Sequence, residues 1–417
     1  MRIRDWDQNL KVRLFGEALM NISYWMFFPF LTIYFADAFG KDRAGLLLIF
    51  SQIFSVMANL LGGHFADRFG RKRMMVLSAM GQGLSFIAFG FGSTPWLVSP
   101  GLGFIAFTVA GVFGAFYWPA SQAMVADVVD EKNRSDVFAI FYTSINIAVV
   151  IGPLLGAIFY VNYRFQLLLA AGIVCVLLGF ILLKWTRETA PLRSYTQNSY
   201  PGKWYSILYD QLKDYSLIFK DQVFLMFILA GVLAGQTFMQ LDLLIPVYMK
   251  DVMSEGQDLV TAAGWNFTVK GEQAFGIVLA ENGLLVTLLT VFTTKWMAKY
   301  HERNVFILSS VLYALSVVLF SQTHWIWGFI FAMAVYTFGE LVSAGLQQSF
   351  VSKIAPEQMR GQYFAAASLR YTFSRTIAPI FIPMTVWIGY GWTFFTLAVL
   401  ALLSAVLYWQ MFKLFEK

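Results

Sequence analysis

Gly63-His-Phe-Ala-Asp67-Arg68-Phe-Gly70-Arg71-Lys72-Arg73 packs one aspartate and four cations into a short turn between two long apolar runs. Basic residues flanking a membrane span are held on the cytoplasmic side. The stretch therefore marks an internal loop joining two spans. Gly62 and Gly63 close the first run, where the lack of side chains allows close approach to a neighbouring helix.

The rest of the 417-residue chain fits a membrane setting: 58% of residues are apolar and 13% charged, and mean hydropathy is +0.63. Soluble domains carry about twice that charge fraction. A helical span needs about 20 apolar residues. Segments near 13–37, 44–64, 74–95, 101–126, 137–160, 166–185, 221–249, 274–298, 304–322, 325–350, 362–386 and 388–412 qualify, which predicts an all-α membrane protein of twelve transmembrane helices.

An even number of spans puts both termini on one side. With that side cytoplasmic, 23 of the 30 Lys and Arg residues fall in internal segments, and Lys41, Arg43, Arg164, Lys250 and Lys270 fall outside. This supports a multi-pass protein of the cell membrane, inner or plasma, with both termini in the cytoplasm. Net charge is +6, but the placement of the cations argues against a nucleic-acid partner. Trp6 to Arg13 is polar and the first apolar run is long, so no cleavable signal peptide is expected. Cys175 stands alone, and His64, His301 and His324 lack ligand spacing, so neither disulfide nor metal chemistry is expected.

Many transporters consist of two related six-span halves. A shift of 226 positions lays Gln122 on Gln348, Arg134 on Arg360, Phe138 on Phe364 and Pro153 on Pro379, whereas a shift of 214 lays Tyr34-x-x-Asp37 on Tyr248-x-x-Asp251. The 12-residue difference fits an insertion in the external loop around Val252 to Gln273. The expected organisation is a six-helix bundle at 1–186, a cytoplasmic linker at 187–220 and a second bundle at 221–417. Within the linker, Trp204 to Phe219 reads either as an interfacial amphipathic helix or as plain connection.

With these features the chain resembles the major facilitator superfamily over essentially its whole length. The opening turn is similar to that family's loop between spans two and three. Gly152-Pro153-Leu-Leu-Gly156 on span five is similar to the antiporter motif of drug exporters. Gly152 and Gly156 would allow close helix contact, and Pro153 would kink the span. Closer still, Met239-Gln240-Leu241-Asp242 and Gly339-Glu340 resemble the acids of LmrP-type proton-coupled multidrug exporters, as do Asp67 and Asp127 at the internal ends of spans two and four. Span five departs from them, with Phe141, Tyr142 and Asn146 where those relatives carry a membrane-embedded acid. The resemblance implies two pseudo-symmetric six-helix bundles and alternating access.

A carboxylate in hydrocarbon costs roughly 2.5 to 3.5 kcal/mol on insertion scales, so it needs a partner, a proton or a water-filled cavity. The candidates for proton coupling are Glu17, Asp242, Glu281 and Glu340, with Arg370 and Arg375 as charge partners. At about 1.5 Å per residue, Glu340 and Arg375 reach similar heights above the internal end, roughly 20 and 21 Å, so they can meet. Glu340 is then either a proton carrier or half of a structural ion pair with Arg370 or Arg375. Those arginines serve either that pair or an anionic substrate. Asp242 and Glu281 fall in the outer third, where they can share a proton. Pro246 cannot donate to the Asp242 carbonyl, which weakens the helix at an outer hinge. Glu17 and Glu281 also read as interfacial residues whose carboxylates reach water.

The latch residues are Gly63, Asp67, Arg68, Gly70, Arg71, Asp127 and Arg134. Asp67 is expected either to accept from the start of span eleven, after Arg360-Gly361, or to neutralise Arg68 or Arg71 locally. Aromatic residues make up 18% of the chain and offer broad contact and cation–π attraction. Tyr24, Trp25 and Phe28, with Asn146, Gln240 and Gln347 as polar lining, are the expected substrate-binding residues.

The expected function is proton-coupled efflux of small hydrophobic, often cationic compounds, as in multidrug efflux. It would be driven by the proton gradient without a cofactor, by a monomer among membrane lipids. The alternative is an exporter of one metabolite, or a lipid flippase, on the same scaffold. With no phosphate-binding loop and no Ser/His/Asp constellation, an enzyme is not expected.

Overall fold

The computed structural model of the chain describes residues 3–190, 221–262, 265–356, 363 and 366–416. The expected interfacial helix and Arg360-Gly361 lie outside them. In chain order the helices are α1 (Gln8–Trp25), α2 (Leu31–Phe39), α3 (Lys41–Phe69), α4 (Arg71–Gly92), α5 (Pro100–Val128), α6 (Glu131–Trp185), α7 (Gln222–Phe238) and α8 (Leu244–Val252). After an antiparallel hairpin of β1 (Gln257–Ala262) and β2 (Trp265–Val269) come α9 (Gly271–Met297), α10 (Glu302–Gln322), α11 (Ile326–Ile354), α12 (Leu369–Ile377) and α13 (Phe381–Phe415). The hairpin occupies the insertion expected from the repeat.

Local chemistry sets the helix ends. Asp7 accepts from Asn9 N (2.8 Å) to start α1, and Asp221 accepts from Val223 N and Phe224 N (3.0 and 3.1 Å) to start α7; such caps satisfy amides that have no helical partner. Gly70 separates α3 from α4 at φ 98°, and Gly389 turns the chain inside α13 at φ 81°. Both are backbone angles that glycine adopts without steric cost.

Eleven segments among the described residues are long and apolar enough to cross a membrane. One of them, Leu369–Phe415, has 47 residues and bends at Gly389, so it crosses twice. The twelve expected spans are therefore present. Between 28% and 56% of each span's most apolar window is buried inside the protein, and the remainder, with side chains such as Leu77, Leu84, Ile105, Phe292 and Trp392 exposed, suits lipid.

Three spans are broken part-way. Span one unwinds between α1 and α2 at Phe28–Phe30, around Pro29, and span seven does so between α7 and α8 at Met239–Leu241. Span eleven breaks between α12 and α13 at Ala378–Ile380, around Pro379. In span seven the break precedes Pro246, as its missing donor predicts. Span five carries Pro153 inside α6. Backbone angles stay helical through Pro153, and the interruption in α6 comes at Tyr163. Gly152 and Gly156 do make the expected close contact: a Cβ on the first would collide with Trp25 and one on the second with the Met26 carbonyl. The two glycines thus seat α6 on the break in span one.

The chain divides into two compact units, Met1–Gly40 with Phe50–Gln197, and Lys41–Ile49 with Asn198–Lys417. In the first, α1 packs on α6 and α4 packs on α5 and α6; in the second, α7 packs on α13 and α10 packs on α11 and α13. One packing pattern thus recurs at the repeat spacing. The core of the second unit centres on Phe227, Phe306, Phe350, Tyr408 and Phe412, and that of the first on Met75, Tyr117, Met124 and Leu178.

Gly156→Leu is expected to destabilise the detergent-purified protein by about 1–3 kcal/mol. Gly101→Ala, where no neighbour lies within 4 Å, should leave the melting temperature unchanged. Equal melting of both variants would contradict the seating role.

Candidate functional site

The second unit gathers the expected acids around the break in span seven. Gly231 and Gly235 on α7 let α12 approach so closely that a Cβ on either would collide with Arg370 or Ser374. Ser374 Oγ donates to the Val232 carbonyl at 3.3 Å and to the Arg370 carbonyl at 2.7 Å. One turn further along, Gln240 Nε2 donates to the Gln236 carbonyl (2.8 Å) and to the Ala378 carbonyl (3.4 Å). From α11, Tyr336 OH donates to the Phe238 carbonyl at 2.7 Å, which ties span ten to the broken turn. Asp242 follows that turn, within electrostatic reach of Arg375 and of Glu340.

Glu340 is held differently from expectation. Its Oε2 accepts from Asn282 Nδ2 at 3.2 Å, and the same amide donates to Thr337 Oγ1 at 2.9 Å. Thr337 Oγ1 donates to the Met333 carbonyl at 2.8 Å. Among the described residues Glu340 forms no ion pair with Arg375 or Arg370, and Arg375 acts electrostatically on Asp242 instead. Arg370 instead lies over the Phe227 ring, 4.1 Å from its centroid, with Nε donating to the Ala367 carbonyl at 3.1 Å. Residue counting fixed the heights of Glu340 and Arg375 but not the direction in which each side chain points. Glu281 is half-buried, and its Oε2 has no hydrogen-bond partner among the described residues. Its neighbour Asn282 is the residue that reaches Glu340.

In the first unit Glu17 is buried and paired with a cation. Arg13 Nε donates to its Oε1 at 2.8 Å, as does Tyr117 OH at 2.8 Å. Arg13 also donates through Nη1 to the Ser121 carbonyl (2.8 Å) and through Nη2 to Ser121 Oγ, and its guanidinium lies 4.8 Å from the centroid of the Phe141 ring. A pocket beside this pair is lined by Arg13, Glu17, Trp118, Gln122, Phe138 and Phe141. Arg13 had counted among the basic residues of the N-terminal segment. Its four-residue spacing from Glu17, which places both on one helix face, was the available signal.

The charged turn pairs internally. Asp67 forms an ion pair with Arg71, whose Nε also meets Asp127 Oδ2 at 3.3 Å. Arg68 lies over the Phe69 ring, and Arg134 donates to the Val129 and Ala126 carbonyls (3.0 and 2.8 Å) at the end of α5. The residues expected to meet Asp67 on span eleven lie outside the described residues. Gly62, not Gly63, makes the close approach: its Cβ would sit 3.0 Å from Pro119, while Gly63 has nothing within 4 Å among the described residues. Glu188, which sequence reasoning missed, accepts at Oε1 from Arg71 N (2.8 Å) and Lys72 N (3.3 Å). It fills the N-terminus of α4, where the helix dipole favours an anion.

Of the expected substrate residues, Tyr24, Trp25, Phe28 and Asn146 belong to the first unit and Gln240 and Gln347 to the second. Tyr24 and Phe28 stack at 4.6 Å, with Trp25 5.7 Å from Phe28, beside the break in span one. Asn146 donates within its own helix to the Tyr142 carbonyl (3.1 Å) and Gln347 to Ser343 Oγ (3.2 Å). Gln240 belongs to the acid cluster. No three His, Cys, Asp or Glu side chains among the described residues group as a metal centre.

A family model described as Major Facilitator Superfamily matches residues 14–271 and 259–414. A protein of Planococcus maritimus named Na(+), Li(+), K(+)/H(+) antiporter is 58% identical over 100% of this chain and 99% of its own length. Multidrug resistance protein MdtH of Escherichia coli (strain SE11) is 22% identical over 91% of this chain and 85% of its own. Among solved structures, the nucleoside transporter NupG superposes with a TM-score of 0.75 at 14% identity, covering 97% of this chain and 100% of its own. A POT family transporter superposes with a TM-score of 0.74 at 18% identity, covering 95% and 94%.

Removing one member of a buried ion pair leaves an uncompensated charge and costs about 3–5 kcal/mol, whereas replacing both with apolar residues is often neutral. Glu17→Leu is thus expected to lower thermal stability sharply, and Arg13→Met combined with Glu17→Leu to recover most of it. A double variant no more stable than the single one would contradict the pairing account.

Proposed function

The chain belongs to the major facilitator superfamily, and from that premise we propose that it exchanges protons for monovalent cations, exporting Na+, Li+ or K+ by alternating access. It is a multi-pass membrane transporter and not an enzyme. The proposed setting is the cell membrane, with both termini in the cytoplasm as the distribution of Lys and Arg favours.

The observation that carries the reading is the presence in the second unit of two acids within membrane spans, Asp242 beside the broken turn of span seven and Glu340 on span ten. Asp242 acts electrostatically on Glu340, which is held by a neutral amide. Two anions in an apolar surrounding need a proton or a cation. Exchanging one for the other at the same carboxylates is antiport in its simplest physical form. The 58% identical relative, named for alkali cations and protons, supports the choice of substrate.

Efflux of hydrophobic cations is the second reading. It is favoured by the 22% identical multidrug resistance protein.

The test uses everted membrane vesicles with an imposed pH gradient, acidic inside, read by a pH-sensitive dye. Na+, Li+ and K+ should each collapse the gradient in the wild type, and Asp242→Asn and Glu340→Gln should reduce that collapse to the level of membranes lacking the protein. Collapse by ethidium but not by alkali cations would transfer the assignment to the second reading. Silence toward both would favour a metabolite or lipid as substrate. Because protons and cations compete for the same carboxylates on this account, the cation concentration giving half-maximal exchange should rise as pH falls. A pH-independent value would contradict the competition.

A further inference from the structure

We propose that the broken turn of span seven is the binding site of a partly dehydrated alkali cation, with Gln236 Oε1, Gln240 Oε1 and the Asp242 carboxylate as its oxygen ligands. The assignment rests on the exchange reading above and deepens it by naming what holds the cation.

Two buried amides carry the argument. Gln236 is 3% exposed and Gln240 is fully buried. Their Nε2 atoms are engaged by main-chain carbonyls, Gln236 with Val232 O at 3.2 Å and Gln240 with Gln236 O and Ala378 O. Both Oε1 atoms accept no hydrogen bond among the described residues. A buried acceptor without a partner is unfavourable, and here two of them stand one helical turn apart on one face. What such oxygens lack is a positive partner.

Asp242, which ends the same broken turn, supplies the negative charge. Gln240 is anchored at the Ala378 carbonyl and Asp242 lies in the field of Arg375; positions 375 and 378 are three residues apart and share one face of span eleven. Two neutral amide oxygens and one carboxylate form a hard, oxygen-only ligand set of low charge, which suits a monovalent cation better than a divalent one. Broken helices are also where transporters offer unwound carbonyls to coupling ions. Arg375 then acts as the resident counter-charge of Asp242 while the site holds no alkali cation.

The test uses the purified full-length protein in proteoliposomes, measuring KM and maximal rate for Na+ and Li+, together with Na+ protection against thermal unfolding in detergent. The second readout detects binding without transport. Gln240→Met and Gln236→Met keep side-chain volume and remove the oxygen. Each is expected to raise the Na+ KM about tenfold, equivalent to about 1.4 kcal/mol, and to weaken Na+ protection while keeping the maximal rate. Gln240→Glu restores an oxygen and should bind Na+ at least as tightly as the wild type. If either methionine variant fails to fold, Gln236→Asn and Gln240→Asn, which shorten the reach and keep the amide, should show the same direction of change. Wild-type KM and wild-type protection in the variants would overturn the ligand assignment while leaving the exchange reading intact. A wild type neither protected by nor transporting alkali cations would overturn both.

Discussion

A carboxylate inside a membrane protein must be neutralised, by a proton, by a fixed cation or by one that passes through. That requirement organises this structure. In the first unit it is met permanently, because Arg13 is placed one turn from Glu17 and both are tied to Tyr117 and Ser121. In the second unit Glu340 has a neutral amide as its hydrogen-bond partner, and Asp242 lies in the field of Arg375. The same requirement thus meets a buried ion pair in one unit and a neutral hydrogen-bond partner for Glu340 in the other.

The backbone follows the same division. Gly152 and Gly156 bring α6 against the break in span one, and Gly231 and Gly235 bring α12 against α7. Close packing brings carbonyls and short polar groups within reach of one another, as the Ser374 and Gln240 hydrogen bonds show. The breaks at Pro29 and Pro379 come where proline withholds a donor, and the break beside Asp242 lies just ahead of Pro246. Side chains take up carbonyls at these breaks, Tyr160 at Phe30, Tyr336 at Phe238 and Gln240 at Ala378.

Much of this was legible in the residues themselves. The spans follow from apolar length, the two-unit packing repeats at the spacing of the internal similarity, and Asp242 and Glu340 declare themselves as acids in apolar runs. What was not legible was direction. The rise per residue gives height along a helix, so it allowed Glu340 and Arg375 to meet, but it could not show that Asn282 takes the place beside Glu340. Arg13 was hidden by its basic neighbours in sequence, although in the fold it is 1% exposed. Glu188 lies beyond the last turn of α6, where no periodic pattern points to the N-terminus of α4 that it fills.

The central claim is that a proton and an alkali cation compete for one set of carboxylates. The most direct measurement is proton release from the purified, detergent-solubilised protein in weakly buffered solution as Na+ is added. The account predicts a saturable release from the wild type that is lost in Asp242→Asn and unaffected by the same ionic strength of choline chloride. Saturable Na+ binding with no accompanying proton release, or release that survives in Asp242→Asn, would contradict it.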